Sequence, residues 1–224
     1  MNGRHELKYY ISPLDCANLR TKLGIVAKKD ENADDSGGYK IRSLYFDNYD
    51  DKAVIEKLSG QSKREKFRLR FYGNNVTFVR LEKKSKANRL TYKRSTSITI
   101  NQCQSLLNGD YTCLHETTEQ SILFSELYSK MRYQGLRPKN IVEYRREAYV
   151  YKAGNVRITL DSQIRTSNNI YDFLDPNLIT IPATQAIIME VKYDGFFPDV
   201  IRDLVQIGGY TQTEFSKYVV ARMV

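Results

Sequence analysis

The 224-residue chain contains no tryptophan, two histidines, three cysteines and five prolines. Each scarcity removes a class of explanation. Cys16, Cys103 and Cys113 are odd in number and not spaced like metal ligands, so neither a disulfide framework nor a zinc site is expected, and a reducing compartment fits. His5 and His115 stand far apart, which disfavours a histidine metal cluster or a paired catalytic base. No run approaches the roughly 18 apolar residues that a membrane-spanning helix needs. The first twenty residues carry Arg4, His5, Glu6, Lys8, Asp15 and Arg20 where a secretory leader would be apolar. The expected location is cytoplasmic, with association with a membrane or a partner protein left open.

Tyrosine and positive charge are plentiful. Seventeen tyrosines and 41% hydrophobic residues suit strands with a packed core, and one domain over residues 1–224 is expected. Thirty-five Lys and Arg against 26 Asp and Glu leave a net charge of +9, which attracts polyanions: nucleic acid, an acidic membrane surface or phosphate compounds.

Periodicity assigns strands to residues 4–11, 39–46, 66–72, 76–84, 89–100, 140–151, 156–161 and 186–193. Gly73-Asn74-Asn75 turns the third into the fourth, and residues 28–38 read as a loop. Helices are expected from Ser12, with Leu14, Ala17 and Leu19 inward, and over 50–58, 101–109, 117–132, 198–207 and 214–223. Thr117 and Gln120 form a capping pattern for the fourth.

Side chains alternate faces along a strand, so residue parity decides which groups can work together. Arg68 and Arg70 oppose Phe67, Leu69 and Phe71; Tyr144, Arg146 and Ala148 share a face; Arg157, Thr159 and Asp161 oppose Val156, Ile158 and Leu160. The pattern Glu-x-Lys recurs as Glu6/Lys8, Glu82/Lys84 and Glu190/Lys192. Such a carboxylate can hold Mg2+ or Mn2+ while the adjoining ammonium and guanidinium groups bind phosphate oxygens. A half-exposed sheet with its charges in solvent produces the same alternation, and exposed pairs of this kind contribute little to stability.

Arg4-His-Glu-Leu-Lys-Tyr, Ile41-Arg-Ser-Leu-Tyr-Phe-Asp47, Lys66-Phe-Arg-Leu-Arg-Phe-Tyr-Gly73, Leu81-Glu-Lys-Lys-Ser-Lys86, Tyr144-Arg-Arg-Glu-Ala148, Val156-Arg-Ile-Thr-Leu-Asp161, Met189-Glu-Val-Lys192 and Phe215-Ser-Lys-Tyr218 occur in that order. Over nearly its whole length the chain thereby resembles the polyphosphate-polymerase domain of the vacuolar transporter chaperone family, within the triphosphate tunnel metalloenzymes. The resemblance implies an α+β fold in which a closed eight-stranded antiparallel β-barrel forms a basic tunnel with helices packed outside. It implies a phosphate-binding set of Lys8, Arg68, Arg70, Lys84, Arg146, Arg157, Lys192, Ser216 and Lys217, with Arg42 and either Lys93 or Arg94 as further candidates. The clamp on the transferred group falls to Arg68, Arg70, Arg146, Arg157 and Lys84. Glu190 is the implied metal ligand, with Glu6 and Glu82 beside it as the other acids of the recurrent pattern. Where hydrolytic relatives open with Glu-x-Glu-x-Lys, this chain has Arg4, which weighs against hydrolysis.

The expected activity is transfer of the γ-phosphoryl group of ATP to a growing inorganic polyphosphate with Mn2+ or Mg2+ as cofactor. The alternatives are a tripolyphosphatase or nucleoside triphosphatase on the same scaffold, with Glu6, Glu82 or Asp161 as base, or a non-catalytic polyanion-binding module. Nucleic acid is not an expected partner, because the aromatic residues of 66–72 mostly lie on the face opposite the arginines instead of interleaving with them.

Overall fold

The computed structural model describes residues 3–87, 90–115, 122–206 and 210–224. Its strands are β1 (His5–Ile11), β2 (Lys28–Lys29), β3 (Tyr39–Asp47), β4 (Arg64–Tyr72), β5 (Val79–Ala87), β6 (Leu90–Ile98), β7 (Arg137–Tyr151), β8 (Val156–Ser167), β9 (Ile181–Thr184) and β10 (Ile187–Tyr193). Six helices accompany them among the described residues: α1 (Pro13–Val26), α2 (Lys52–Leu58), α3 (Ile100–Leu107), α4 (Ile122–Gln134), α5 (Asp199–Gln206) and α6 (Lys217–Arg222). No helix is long and apolar enough to cross a membrane among the described residues.

All strand pairs are antiparallel, and the main sheet runs β1-β10-β8-β7-β3-β4-β5-β6, with β2 added to β7 and β9 to β8. The expectation of a closed barrel is corrected here. Among the described residues, the edge strands β1 and β6 are joined only through a bridge between Arg4 and Thr91, whose two backbone N–H···O bonds are each 3.1 Å. Further along β1 the free edge is taken by the C-terminal segment: Tyr9 bridges Gln212, and the Thr213 N–H donates to the Lys8 carbonyl at 2.8 Å. That segment occupies the place a continuous β1–β6 ladder would need.

The curled sheet is covered outside by two apolar layers. On one side Phe67, Leu69 and Phe71 of β4 and Leu81 of β5 pack against Leu106 of α3 and Leu127 and Met131 of α4. On the other, Ile158 and Leu160 of β8 and Met189 and Val191 of β10 pack against Leu19 and Leu23 of α1 and Ile201 of α5. Each buried aliphatic or aromatic side chain contributes about 1.5–3 kcal/mol, so these layers supply the main cohesion of the sheet. Inside, one end is filled by α6, whose Tyr218 and Ala221 pack with Tyr45, Val142, Ile164 and Ile188.

Several elements begin or end away from their sequence assignments. Ser12 caps α1 in a capping box with Asp15, but the buried residues are Cys16, Leu19 and Leu23, and Leu14 is exposed. β5 starts at Val79 because residues 73–78 are spent in the turn, where Gly73 takes φ = 60°. Two residues of the supposed loop 28–38 form β2, β8 continues to Ser167, and β9 is an additional strand. The last helix starts at Lys217, leaving residues 214–216 extended or irregular. The capping pattern of Thr117 and Gln120, and the ends assigned to Arg89 and Ile207, lie outside the described residues.

α6 is tethered to the sheet by polar contacts in an otherwise dry setting. The Tyr218 hydroxyl donates to Asp47 Oδ2 at 2.8 Å, and Asn140 Nδ2 donates to the Ala221 carbonyl at 3.1 Å. Tyr218 and Asp47 are both 1% exposed. Tyr218→Phe leaves one buried carboxylate oxygen without that donor and is expected to destabilise the protein by about 1–3 kcal/mol, read as a lowered urea midpoint at unchanged slope.

Candidate functional site

The inner face of the curled sheet encloses a cavity with about 1060 Å³ of empty space, its open mouth included. Eleven Lys or Arg side chains and three glutamates line it. Strand parity explains the concentration. β4 sends Arg64, Lys66, Arg68 and Arg70 inward, and β5 sends Lys84 and Lys86. The register sets Arg64 opposite Lys86, Lys66 opposite Lys84 and Arg68 opposite Glu82. Across the cavity Glu6 and Lys8 of β1 lie opposite Lys192 and Glu190 of β10. Lys217 enters from the first turn of α6 and Lys57 from α2.

The guanidinium groups are oriented by neighbours in the wall. Arg68 donates from Nε and Nη2 to Glu82 Oε2 at 2.8 and 2.7 Å, and from Nη1 to the Tyr45 hydroxyl at 3.1 Å. Arg70 donates to Ser43 Oγ at 2.9 Å and to the Tyr144 hydroxyl at 3.1 Å. Arg146 makes a two-pronged contact with Asp161, both bonds 2.7 Å, and Lys217 Nζ lies 2.5 Å from the same carboxylate. Glu82 and Asp161 are 1% and 0% exposed and do not line the cavity. They form a second layer of negative charge that keeps the cations in front of them ionised. Burial pulls the Arg68 and Arg146 pKa values down, yet Glu82 and Asp161 respectively outweigh it and hold both above the ordinary arginine value.

The carboxylates that do reach the cavity are matched to ammonium groups. Glu6 accepts from Lys84 Nζ at 2.9 and 2.7 Å and lies 3.1 Å from Lys8 Nζ. Glu190 pairs with Lys192 and lies 3.7 Å from that same Lys8. Lys8 Nζ also donates to the Phe215 carbonyl at 2.9 Å. Burial and Glu190 push the Glu6 pKa up, but Lys84, Lys8 and Lys192 hold it well below the usual carboxylate range. Burial likewise opposes ionisation of Glu190, and Lys192, Lys8 and Lys84 reverse it.

Lys57, Lys66, Lys84 and Lys93 are all held below the ordinary lysine value by burial, Lys66 and Lys84 furthest. Burial, then repulsion from Lys8 and Lys84, lowers Lys66 to about 7. Burial lowers Lys84 to about 8, with Glu6 restraining the fall.

Of the residues singled out in the sequence, Arg68, Arg70, Arg146, Lys84, Lys8, Lys192, Ser216, Lys217, Glu190 and Glu6 meet at this cavity. The others do not line it. Arg42 points to the opposite face of β3, where Nε binds Glu143 at 2.9 Å and Nη1 binds the Phe173 and Asp175 carbonyls at 3.0 and 2.5 Å. It ties a loop to the sheet exterior, because inward parity on β3 belongs to Tyr39, Ile41, Ser43 and Tyr45. Arg157 has inward parity but sits off the cavity, with Nη2 on Asp30 and, at 3.0 Å, on the Tyr39 hydroxyl. Glu82 is the wall counter-ion just described, also paired with Lys93 at 2.5 Å. Lys93 rather than Arg94 therefore has inward parity, while Arg94 lies 3.9 Å from Glu126. Ser216 caps α6 and accepts from Lys66 Nζ at 2.9 Å. Arg4, at the position of the missing glutamate, binds Asp194 at 2.9 Å.

Lys57, Arg64, Lys66, Lys86 and Glu214 line the cavity without having been singled out as site residues. Arg64 and Lys66 share the parity of Arg68, and Lys86 that of Lys84, so extending the alternation by one or two steps finds them. No such signal exists for Lys57 and Glu214, which come from a helix and an irregular segment.

The profile of the VTC domain matches residues 3–224. The chain belongs to the VTC-domain family. No curated protein matches the sequence. Among solved structures, a Bacillus halodurans protein provisionally described as an adenylate cyclase superposes with a TM-score of 0.55 at 13% identity, covering 96% of this chain and 95% of its own. A Vibrio parahaemolyticus protein with the same provisional description gives a TM-score of 0.49 at 11% identity, covering 98% and 97%. A Pyrococcus horikoshii protein gives 0.47 at 13% identity, covering 98% of each chain. The likeness to the first shows a shared fold. Membership of the VTC-domain family and the cationic cavity together support binding of nucleotide or polyphosphate chains.

No group of three or more His, Cys, Asp or Glu that could hold a metal occurs among the described residues. Glu6 and Glu190, converging on Lys8, supply two carboxylates, which suits Mg2+ or Mn2+ held jointly with phosphate oxygens and water. Glu82, closed in by Arg68, Arg70 and Lys93, does not fit that role.

Lys66, the most strongly depressed of these lysines, gives this VTC domain a pH response of known sign. Below about pH 7 Lys66 is charged in the folded and unfolded states alike; above it the folded state releases a proton that the unfolded chain keeps up to 10.5. Stability of the free protein should therefore rise from pH 7 toward pH 9, and Lys66→Met should flatten the rise in urea titrations. A bound polyanion favours the ammonium form, so calorimetry at pH 8 in buffers of differing ionisation enthalpy should show proton uptake on binding.

Proposed function

We propose that this VTC-domain protein is a metal-dependent phosphotransferase that extends inorganic polyphosphate with the γ-phosphoryl group of ATP. The observation that carries the reading is the convergence of Arg68, Arg70, Arg146, Lys84, Lys8 and Lys217 on one cavity that also holds the Glu6 and Glu190 pair. The attacking oxygen of a terminal phosphate is already anionic, so no base has to generate the nucleophile. What the reaction demands is alignment of two polyanions and neutralisation of charge on the group in flight. The guanidinium groups, held in place by Glu82, Ser43, Tyr144 and Asp161, retain donors for equatorial phosphate oxygens. Lys8, Lys84 and Lys217 supply mobile ammonium groups along the path. A metal on Glu190 and Glu6 would supply Lewis-acid neutralisation of the phosphate oxygens it shares.

The carboxylates argue against hydrolysis. Glu6, Glu190, Glu214 and Asp161 are all held below their ordinary ranges, so none is poised near neutrality to deprotonate water. Nucleic-acid stacking is also disfavoured. The Tyr45 and Tyr144 rings already carry cations, with Arg68 5.8 Å from the first centroid and Lys217 4.6 Å from the second.

Incubation with ATP and Mn2+, resolved on a gel, should yield a ladder of long polyphosphates. Glu190→Gln should reduce that product by at least about 100-fold, a loss typical of removing a transition-state charge contact. Free phosphate without chains would replace the proposal with a hydrolase, and no turnover with retained polyphosphate binding would replace it with a binding module.

A further inference from the structure

At the mouth of the cavity one exposed carboxylate covers three cations that are more buried than it is. Glu214 is 65% exposed at its side chain, whereas Lys57, Arg64 and Lys86 are 12%, 11% and 27% exposed. Its oxygens lie 2.6 Å from Lys57 Nζ, 3.0 Å from Arg64 Nη2 and 3.1 Å from Lys86 Nζ. These cations come from α2, β4 and β5, so three separate elements are aimed at one point. The backbone around Glu214 is pinned: the Thr213 N–H donates to the Lys8 carbonyl, and the Phe215 carbonyl accepts from Lys8 Nζ. The side chain between those anchors reaches out over the cations, and most of its surface faces solvent.

The three cations continue a series. Along β4 and β5 the facing pair Arg64 and Lys86 follows the facing pair Lys66 and Lys84, one inward step of two residues, about 6.8 Å, further from the centre of the cavity. A polyanion that fills the inner cluster and extends outward along this ladder meets Lys66 and Lys84, then arrives where Glu214 sits. A short ligand ends before it.

We propose that Lys57, Arg64 and Lys86 form an outer phosphate subsite that Glu214 fills in the free protein and that a long polyphosphate chain takes over by displacing this carboxylate. The proposal rests on the polyphosphate reading above and adds to it a discrimination by chain length. Glu214 then serves as a stand-in anion: it keeps the outer cations paired when the site is empty and sets a penalty that only a ligand long enough to replace it overcomes.

Binding of tripolyphosphate and of a long-chain polyphosphate to the full chain tests this. Glu214→Gln should tighten the long chain by about tenfold and change tripolyphosphate by less than about twofold. The double variant Arg64→Gln with Lys86→Gln should weaken the long chain by a similar factor and tripolyphosphate by several-fold less, and Lys57→Gln gives a single-site version should the double variant lose its circular-dichroism signature. Equal shifts for the two ligands would overturn the subsite, because Glu214 would then act only through the general field of the cavity. No shift for either would overturn it too. Wild-type protein that binds neither ligand would sink the polyphosphate reading itself, whereas binding of both without a length-dependent response sinks the outer subsite alone.

Discussion

Repulsion among like charges in one enclosed space is the constraint around which this structure is arranged. Eleven cations share the cavity with three glutamates. At a separation of 4 Å two unit charges oppose each other by about 4 kcal/mol at an effective dielectric constant of 20. The wall answers with carboxylates placed behind the cations. Glu82 backs Arg68 and Arg70; Asp161 backs Arg146 and Lys217; Glu6 and Glu190 bracket Lys8. These counter-ions orient the guanidinium planes as well as neutralise them, so compensation and positioning have a common origin. Lys66 and Lys84 mark where compensation runs short, and they respond by holding their protons less tightly.

The remaining opposition to that repulsion is apolar. β4, β5, β8 and β10 are buried on both faces: charges inward, and outward the side chains that meet α3 and α4 on one side and α1 and α5 on the other. A free antiparallel sheet with such an inner face would turn it to water. Helices on the convex side make the opposite curvature favourable, since by curling the sheet covers its outer layers and gives its cations one shared cavity. The VTC-domain architecture is thus a consequence of strands with two kinds of buried face.

Parity made much of the site legible. In β4 the alternation of Phe67, Leu69 and Phe71 with Arg68 and Arg70 is unbroken, and both arginines reach the cavity. β3 is different. Tyr39, Ile41 and Tyr45 face inward while Leu44 and Phe46 face outward, so apolar residues stand on both sides and polarity does not reveal where Arg42 points. Arg157 shows a second limit: parity gives the face of a side chain but not its height along the strand. Closure was beyond reach for a related reason. Strand number is visible in a sequence, whereas the segment that competes for the edge of β1 comes from about two hundred residues downstream, through Gln212 and Thr213. Contributions from outside the strands, such as Lys57 and Glu214, follow no alternation at all.

The seam between the first and sixth strands gives the vessel a preferred place to yield. The pairs β1–β10, β10–β8, β3–β4, β4–β5 and β5–β6 are stitched by continuous ladders, which part only when many hydrogen bonds break at once. Among the described residues, the seam holds by the two backbone bonds of Arg4 and Thr91. Among the described residues this line has the fewest backbone bonds between neighbours of the curled sheet, so it is where the container would part first, away from the arginines of β4.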